Sequence, residues 1–205
     1  LTNKMDILNA YLYLLNFSVI CICEHWMQIE EIKCTVLEGF TVASFFTRSN
    51  LKNGGTIIFV KKDINFTSSN LSEYVSESHF EASGIYLNQI KLQIINIYRS
   101  PSGSFDIFYE KLDELLSKIN SKDNVLICGD FNINFLKNSS QEKSLCNLLR
   151  LYNCYGTVSE PTRDRTCLDN LFTNLPSNSF NVKVIEPGFS DHKAIDCQMF
   201  DTEFI

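Results

Sequence analysis

Glycine and proline are scarce in this sequence. With 8 and 4 among 205 residues, neither a collagen-like repeat nor a proline-rich disordered chain is possible. Tryptophan occurs once, and only His25, His79 and His192 can supply imidazole chemistry. Positive charge is short as well. A formal net charge of −6 argues against coating nucleic acid by bulk attraction, although carboxylates gathered at a metal site would count toward that total. The apolar run over residues 11–23 falls short of the roughly 20 residues that span a bilayer. It also runs into Glu24, His25 and Trp26 without a small-residue cleavage site, so it reads as a helix end followed by a buried strand rather than a signal peptide. The eight cysteines show neither C-x-x-C nor Cys/His zinc spacing. They are expected to be reduced and mostly buried, which favours an intracellular compartment.

The remainder is the composition of a globular domain: 44% hydrophobic and 20% charged residues, with mean hydropathy −0.05. Sixteen Phe and eight Tyr supply bulk for one substantial core. Leu8, Leu12 and Leu15 share one helical face and predict a helix over 3–15. Helical spacing returns at Phe108, Leu112, Leu115, Leu116 and Ile119, with Ser104 as N-cap. It returns again after Ser139, where Glu142 three residues on suggests a capping box. Strands are expected at 17–23 (buried on both faces), 40–46, 56–60, 85–87, 92–98, 125–128, 167–172, 182–185 and 193–199. Strands outnumbering helices, with hairpins mixed among strand–helix–strand units, predict an α/β domain with mixed sheets.

Four clusters could carry chemistry. Glu24 ends the 17–23 strand and, by alternation, falls on the face of Ile20 and Ile22; it is either a solvated charge or a site carboxylate at a strand end. Gly129-Asp130-Phe131-Asn132 follows a buried strand. In an extended backbone Asp130 and Asn132 share one side while Phe131 anchors the other, and a Gly-Asp turn with an Asn cap is the alternative. Asp169 sits inside an apolar strand, where an unpartnered carboxylate is costly. Ser190-Asp191-His192 is a polar turn or the place where Asp169 finds its partner, since a buried aspartate often fixes a histidine ring.

Glu24, Asn96-Ile-Tyr-Arg-Ser-Pro101, Gly129-Asp-Phe-Asn132, Leu168-Asp169 and Ser190-Asp-His192 occur in an order that resembles the endonuclease/exonuclease/phosphatase superfamily. The likeness is greatest to the apurinic-endonuclease-like domains of non-LTR retrotransposons. It covers residues 3–199 and implies a DNase I-like four-layer sandwich, two mixed β-sheets flanked by helices, with residues 200–205 as a tail. The resemblance implies a Mg²⁺-dependent endonuclease that nicks DNA, with Mn²⁺ as the other candidate cation. Glu24 would hold the metal and Asp191 would assist directly or through water. Asp130 would orient or deprotonate the attacking water, and Asn132 would help place it and the phosphate. His192, held by Asp169, and the Tyr98 hydroxyl would bind phosphoryl oxygens. The implied partner is DNA and the implied location nuclear; no membrane partner is expected, and the isolated domain is expected to be a monomer.

The family's domains open on a strand bearing a metal-binding Asn, whereas this sequence opens in the first helix, so the domain is expected to lack its first strand. Two alternatives follow: a remnant that folds or binds DNA without catalysis, and a superfamily phosphatase acting on a lipid or inositol phosphate. Arg48, Lys52, Lys61, Lys62, Arg99, Arg163 and Arg165 are candidates for phosphate contacts.

Overall fold

The computed structural model describes residues 4–13 and 15–200. The expected helix over 3–15 therefore includes two residues outside the described ones, and of the expected tail only Phe200 is described. In chain order the elements are α1 (Met5–Tyr13), β1 (Val19–Cys23), α2 (Ile29–Cys34), β2 (Phe40–Phe46), β3 (Thr56–Lys61), β4 (Thr67–Ser68), β5 (Glu81–Leu87) and β6 (Leu92–Tyr98). They continue with α3 (Phe105–Leu116), β7 (Asn124–Asp130), α4 (Ser140–Leu151), β8 (Tyr155–Gly156), β9 (Asp169–Thr173), β10 (Phe180–Ile185) and β11 (Ala194–Met199).

Period-two alternation sorts these strands into layers. In β3, Ile57 and Phe59 face outward onto Leu8 and Leu12 of α1 and Ile32 of α2. Ile58 and Val60 face inward onto Ile85, Leu92, Ile94, Leu126 and Leu171. The second sheet alternates in the same way. Ile95 and Ile97 of β6, Val125 and Ile127 of β7 and Phe172 of β9 turn outward to meet Phe108, Leu112, Leu145 and Leu149 of α3 and α4. The result is helices, sheet, sheet, helices: the four layers of a DNase I-like sandwich.

The second sheet is mixed, in the order β4-β5-β6-β7-β9-β8, with β6 and β7 parallel and the other pairs antiparallel. The first is not the continuous mixed sheet expected. It consists of an antiparallel three-stranded piece, β1-β3-β2, and a separate β10-β11 hairpin. Both pieces pack onto the same inner core, β1 through Val19 and Cys21 and β11 through Ile195, Cys197 and Met199. β1 is an edge strand with no ladder partner on its outer side among the described residues. Both of its faces are covered, Val19 and Cys21 by the inner core and Ile20 and Ile22 by the α1/α2 side, but all five residues are only half-buried because the lateral edge is open.

Both helix N-caps form as expected, with Ser104 and Ser139 accepting from the backbone N–H groups of Ile107 and Glu142. The Glu142 carboxylate does not reach back in a capping box but accepts from Cys146 Sγ. Short elements escaped the sequence reading. In α2, of six residues, only Ile32 is buried, which leaves no period to detect. All eight cysteines are free, with Cys34 exposed. No helix among the described residues is long and apolar enough to cross a membrane.

Candidate active site

The strand ends of both sheets converge. Register places Tyr98 beside Asp130 across the parallel β6–β7 pair and Asp130 beside Asp169 across β7–β9. The two sheets are pinned at this end by buried Asn96, whose Nδ2 donates to the carbonyls of Ile22 (2.9 Å) and Ile57 (3.3 Å). Its Oδ1 accepts from the Cys23 thiol. Buried amides left unpaired would each cost about 1–3 kcal/mol, so this bridge fixes β1 over β6.

Glu24 leaves β1 with φ +54°. That left-handed turn breaks the alternation, so its carboxylate does not continue the Ile20/Ile22 face. It turns toward the end of β6, where Oε1 accepts from the Tyr98 hydroxyl (2.5 Å) and Oε2 from Trp26 Nε1 (3.1 Å). Tyr98 is buried, and burial, reinforced by its bond to Glu24, pushes its phenol far up, so it keeps its proton. That single proton is committed to Glu24. In this arrangement Tyr98 holds the Glu24 carboxylate.

The Gly129–Asn132 segment is not extended throughout. Gly129 has φ +138°, and a Cβ there would lie 1.8 Å from the Ile97 carbonyl oxygen; β6 and β7 can pass this closely only with glycine. Asn132 has φ +49° and folds back on Asp130. Its backbone N–H donates to Oδ1 (3.0 Å) and its Nδ2 to Oδ2 (3.1 Å), while Nδ2 also donates to the Arg99 carbonyl (2.7 Å). Both amide protons are thus engaged, and in this arrangement Asn132 braces Asp130. Phe131 anchors the opposite side, fully buried against Phe108, Phe135 and Phe172.

Asp169 Oδ2 lies 2.8 Å from His192 Nδ1, and the Thr162 hydroxyl accepts from the backbone N–H of Asp169. Asp130, Asp169 and His192 each bring a potential ligand atom within 4.8 Å of the others. Burial first, then the Asp169 carboxylate, push Asp130 up to about 7, against the opposing pull of His192. The hydrogen bond to Asp169 raises His192 above its usual 6.5. Asp191 stands apart from this group. Its carboxylate is exposed and held by Arg163 Nη2 at 2.7 Å.

Two of the candidate phosphate contacts are internal. Arg48 is buried against Glu81, an ion pair whose other carboxylate oxygen takes the Gly55 N–H. Arg99 is buried too and donates to the carbonyls of Gly103, Phe131 and Asn132. A guanidinium satisfied by backbone carbonyls braces the loop after β7 and has no reach to solvent. Bracing roles not assigned from the sequence fall to Asn96, Thr162 and Trp26. Asn96 stood there only as a motif member, and no spacing marks Thr162 or the single tryptophan as a brace.

The donors suit a hard divalent cation. Glu24 is exposed and each of its oxygens carries one hydrogen bond. Burial and the neighbouring carboxylates Asp169 and Glu24 work against ionising Asp130, a penalty that a cation would offset.

A model of the endonuclease-reverse transcriptase family matches residues 92–196, from β6 into β11. No curated protein matches in sequence. Among solved structures, the endonuclease domain of TRAS1, a telomere-specific non-LTR retrotransposon, is 15% identical with a TM-score of 0.72, covering 95% of this chain and 90% of that one. An AP endonuclease from Archaeoglobus fulgidus is 14% identical with a TM-score of 0.66, covering 98% and 95%. An endonuclease/exonuclease/phosphatase family protein from Leptotrichia buccalis is 15% identical with a TM-score of 0.66, covering 98% and 93%. The family match spans half the chain and includes Tyr98, Asp130, Asn132, Asp169 and His192; on that ground the chain belongs to the endonuclease-reverse transcriptase family and carries the endonuclease/exonuclease/phosphatase fold.

Proposed function

We propose that this domain is a divalent-metal-dependent endonuclease that hydrolyses phosphodiester bonds in DNA, with Mg²⁺ as the working ion and Mn²⁺ as a substitute. The observation that carries the reading is the Asp130–Asp169–His192 group, set beside the Glu24–Tyr98 pair where the two sheets meet. Glu24 would hold the cation, oriented by Tyr98; Asp191 would have to leave Arg163 to assist. Bound there, the cation supplies Lewis-acid stabilisation of charge on the phosphoryl oxygens.

The chain's own groups do the rest. Asp130, pushed up to about 7, is matched to accepting a proton from water near neutral pH. Asn132 holds both of its oxygens in place, which would leave a lone pair to accept the proton of the attacking water. The water oxygen forms the new bond to phosphorus as the bond to the leaving oxygen breaks. His192, whose charged form the hydrogen bond to Asp169 favours, would donate through Nε2 to a non-bridging oxygen and stabilise the charge that builds there.

Relaxation of supercoiled plasmid with Mg²⁺ and with EDTA tests this function. Metal-dependent nicking is expected. Release of phosphate from phosphomonoesters without nicking would transfer the site to the phosphatase branch, and DNA binding without turnover would make the domain a binding module.

A further inference from the structure

We infer that Trp26 is a stacking platform for a nucleobase next to the scissile phosphate, an inference that rests on DNA as the substrate. Trp26 is the chain's one tryptophan and the residue is 56% exposed. A lone exposed apolar residue is ordinary; the way this one is held is not. Glu24 and Trp26 both have left-handed backbones, φ +54° and +60°, which costs a non-glycine residue about 1–2 kcal/mol each.

The loop is clamped in that shape from both sides. The N–H groups of Glu24 and Trp26 donate to the carbonyls of Gly55 (2.8 Å) and Gly54 (3.0 Å). Between them, buried His25 bonds the Phe46 carbonyl through Nε2 and takes the Met27 N–H on Nδ1. Gly55 makes room for this imidazole: a Cβ there would lie 2.3 Å from His25 Nε2. Within residues 24–27 the two exposed residues are Glu24 and Trp26, while His25 and Met27 are buried.

The indole is also oriented chemically. Its Nε1–H bonds the same Glu24 carboxylate that Tyr98 holds from inside, at 3.1 Å. A rigid, flat π-surface is thereby fixed beside the carboxylate assigned to the cation, where the nucleotides flanking the phosphate must lie. The ligand such a surface takes is an unpaired or extruded base, and stacking on an aromatic side chain tolerates any base identity.

The single tryptophan makes the test direct, and no metal is needed for it. Wild type, Trp26→Phe and Trp26→Ala are titrated in EDTA with labelled single-stranded DNA, with duplex, and with strands carrying an abasic site at successive positions. The expected results are quenching of the wild-type indole on binding, and affinity about 5- to 150-fold weaker for Trp26→Ala. Trp26→Phe is expected to bind nearly as wild type. One abasic position should weaken wild type while leaving Trp26→Ala unaffected. Thermal melts of each variant separate this from misfolding, since a purely structural role would lower the melting temperature and leave no base-position effect. Equal affinity of Trp26→Ala and wild type, with an unquenched indole, would overturn the platform while leaving DNA binding in place. Failure of wild type to bind any DNA in EDTA would overturn the platform, and only the additional absence of Mg²⁺-dependent plasmid nicking would remove the endonuclease reading.

Discussion

Asp130→Asn should make the protein more stable and nearly inactive, and the gain should depend on pH. Asp130 is buried, and its carboxyl is lifted from 3.8 to about 7. A raised folded-state value means that the folded protein holds a proton the unfolded chain has released. The stability tied to that proton is fully present below about pH 4 and is lost as pH rises through about 7. Above both values the ionised group costs at most about 4 kcal/mol. Asparagine carries no such charge, but it can accept only one of the two hydrogen bonds from Asn132, a loss of about 1.5–3 kcal/mol. The variant should therefore gain about 1–3 kcal/mol at pH 8, raising its melting temperature by roughly 2–12 °C. That advantage should shrink by about 3 kcal/mol toward pH 5, where wild-type Asp130 is itself neutral in the fold. Melts at both pH values in EDTA measure it, and nicking with Mg²⁺ should fall by about 10²–10⁴-fold. A variant equally destabilised at pH 5 and pH 8 would refute the claim that burial and Asp169 hold this carboxyl up.

Other consequences follow from the same geometry. Glu24→Gln should retain the fold but move the Mg²⁺ midpoint for nicking upward and cut the rate by orders of magnitude; an unchanged midpoint removes Glu24 from the metal. Asp169→Asn should shift both limbs of the pH–rate profile to lower pH, because the carboxylate raises Asp130 by repulsion and His192 by its hydrogen bond; unmoved limbs would make Asp169 structural only. Gly129→Ala, with its Cβ against the Ile97 carbonyl and φ at +138°, should cost at least about 3 kcal/mol, and a melting temperature within about 2 °C of wild type would contradict the close β6–β7 passage.

The fold was legible where periodicity was long. α3 and α4 announce themselves by leucine spacing and serine caps; β3 was readable instead as a short unbroken apolar run after the Asn53-Gly54-Gly55 turn. The site was legible as residue identities but not as directions. Alternation put Glu24 on the wrong face because nothing in the sequence marks a glutamate with φ +54°. Nor does the sequence mark the fold-back that engages both Asn132 amide protons with Asp130 and the Arg99 carbonyl. Arg48 and Arg99 read as candidates for phosphate contacts, since only the tertiary fold brings Glu81 to one and the carbonyls of Gly103, Phe131 and Asn132 to the other. The split of the first sheet was equally hidden, because pairing between distant strands leaves no local trace.

The central claim, that Asp130, Asp169 and His192 work together on a phosphodiester, is tested most directly by comparing nicking of supercoiled plasmid by wild type, Asp169→Ala, His192→Ala and the double variant, all in Mg²⁺ and purified identically. The account predicts Mg²⁺-dependent nicking by wild type. It also predicts that the double variant loses no more than His192→Ala alone, because effects within one catalytic unit do not multiply. Wild-type nicking that survives His192→Ala, or losses in the double variant that multiply those of the single ones, would contradict it.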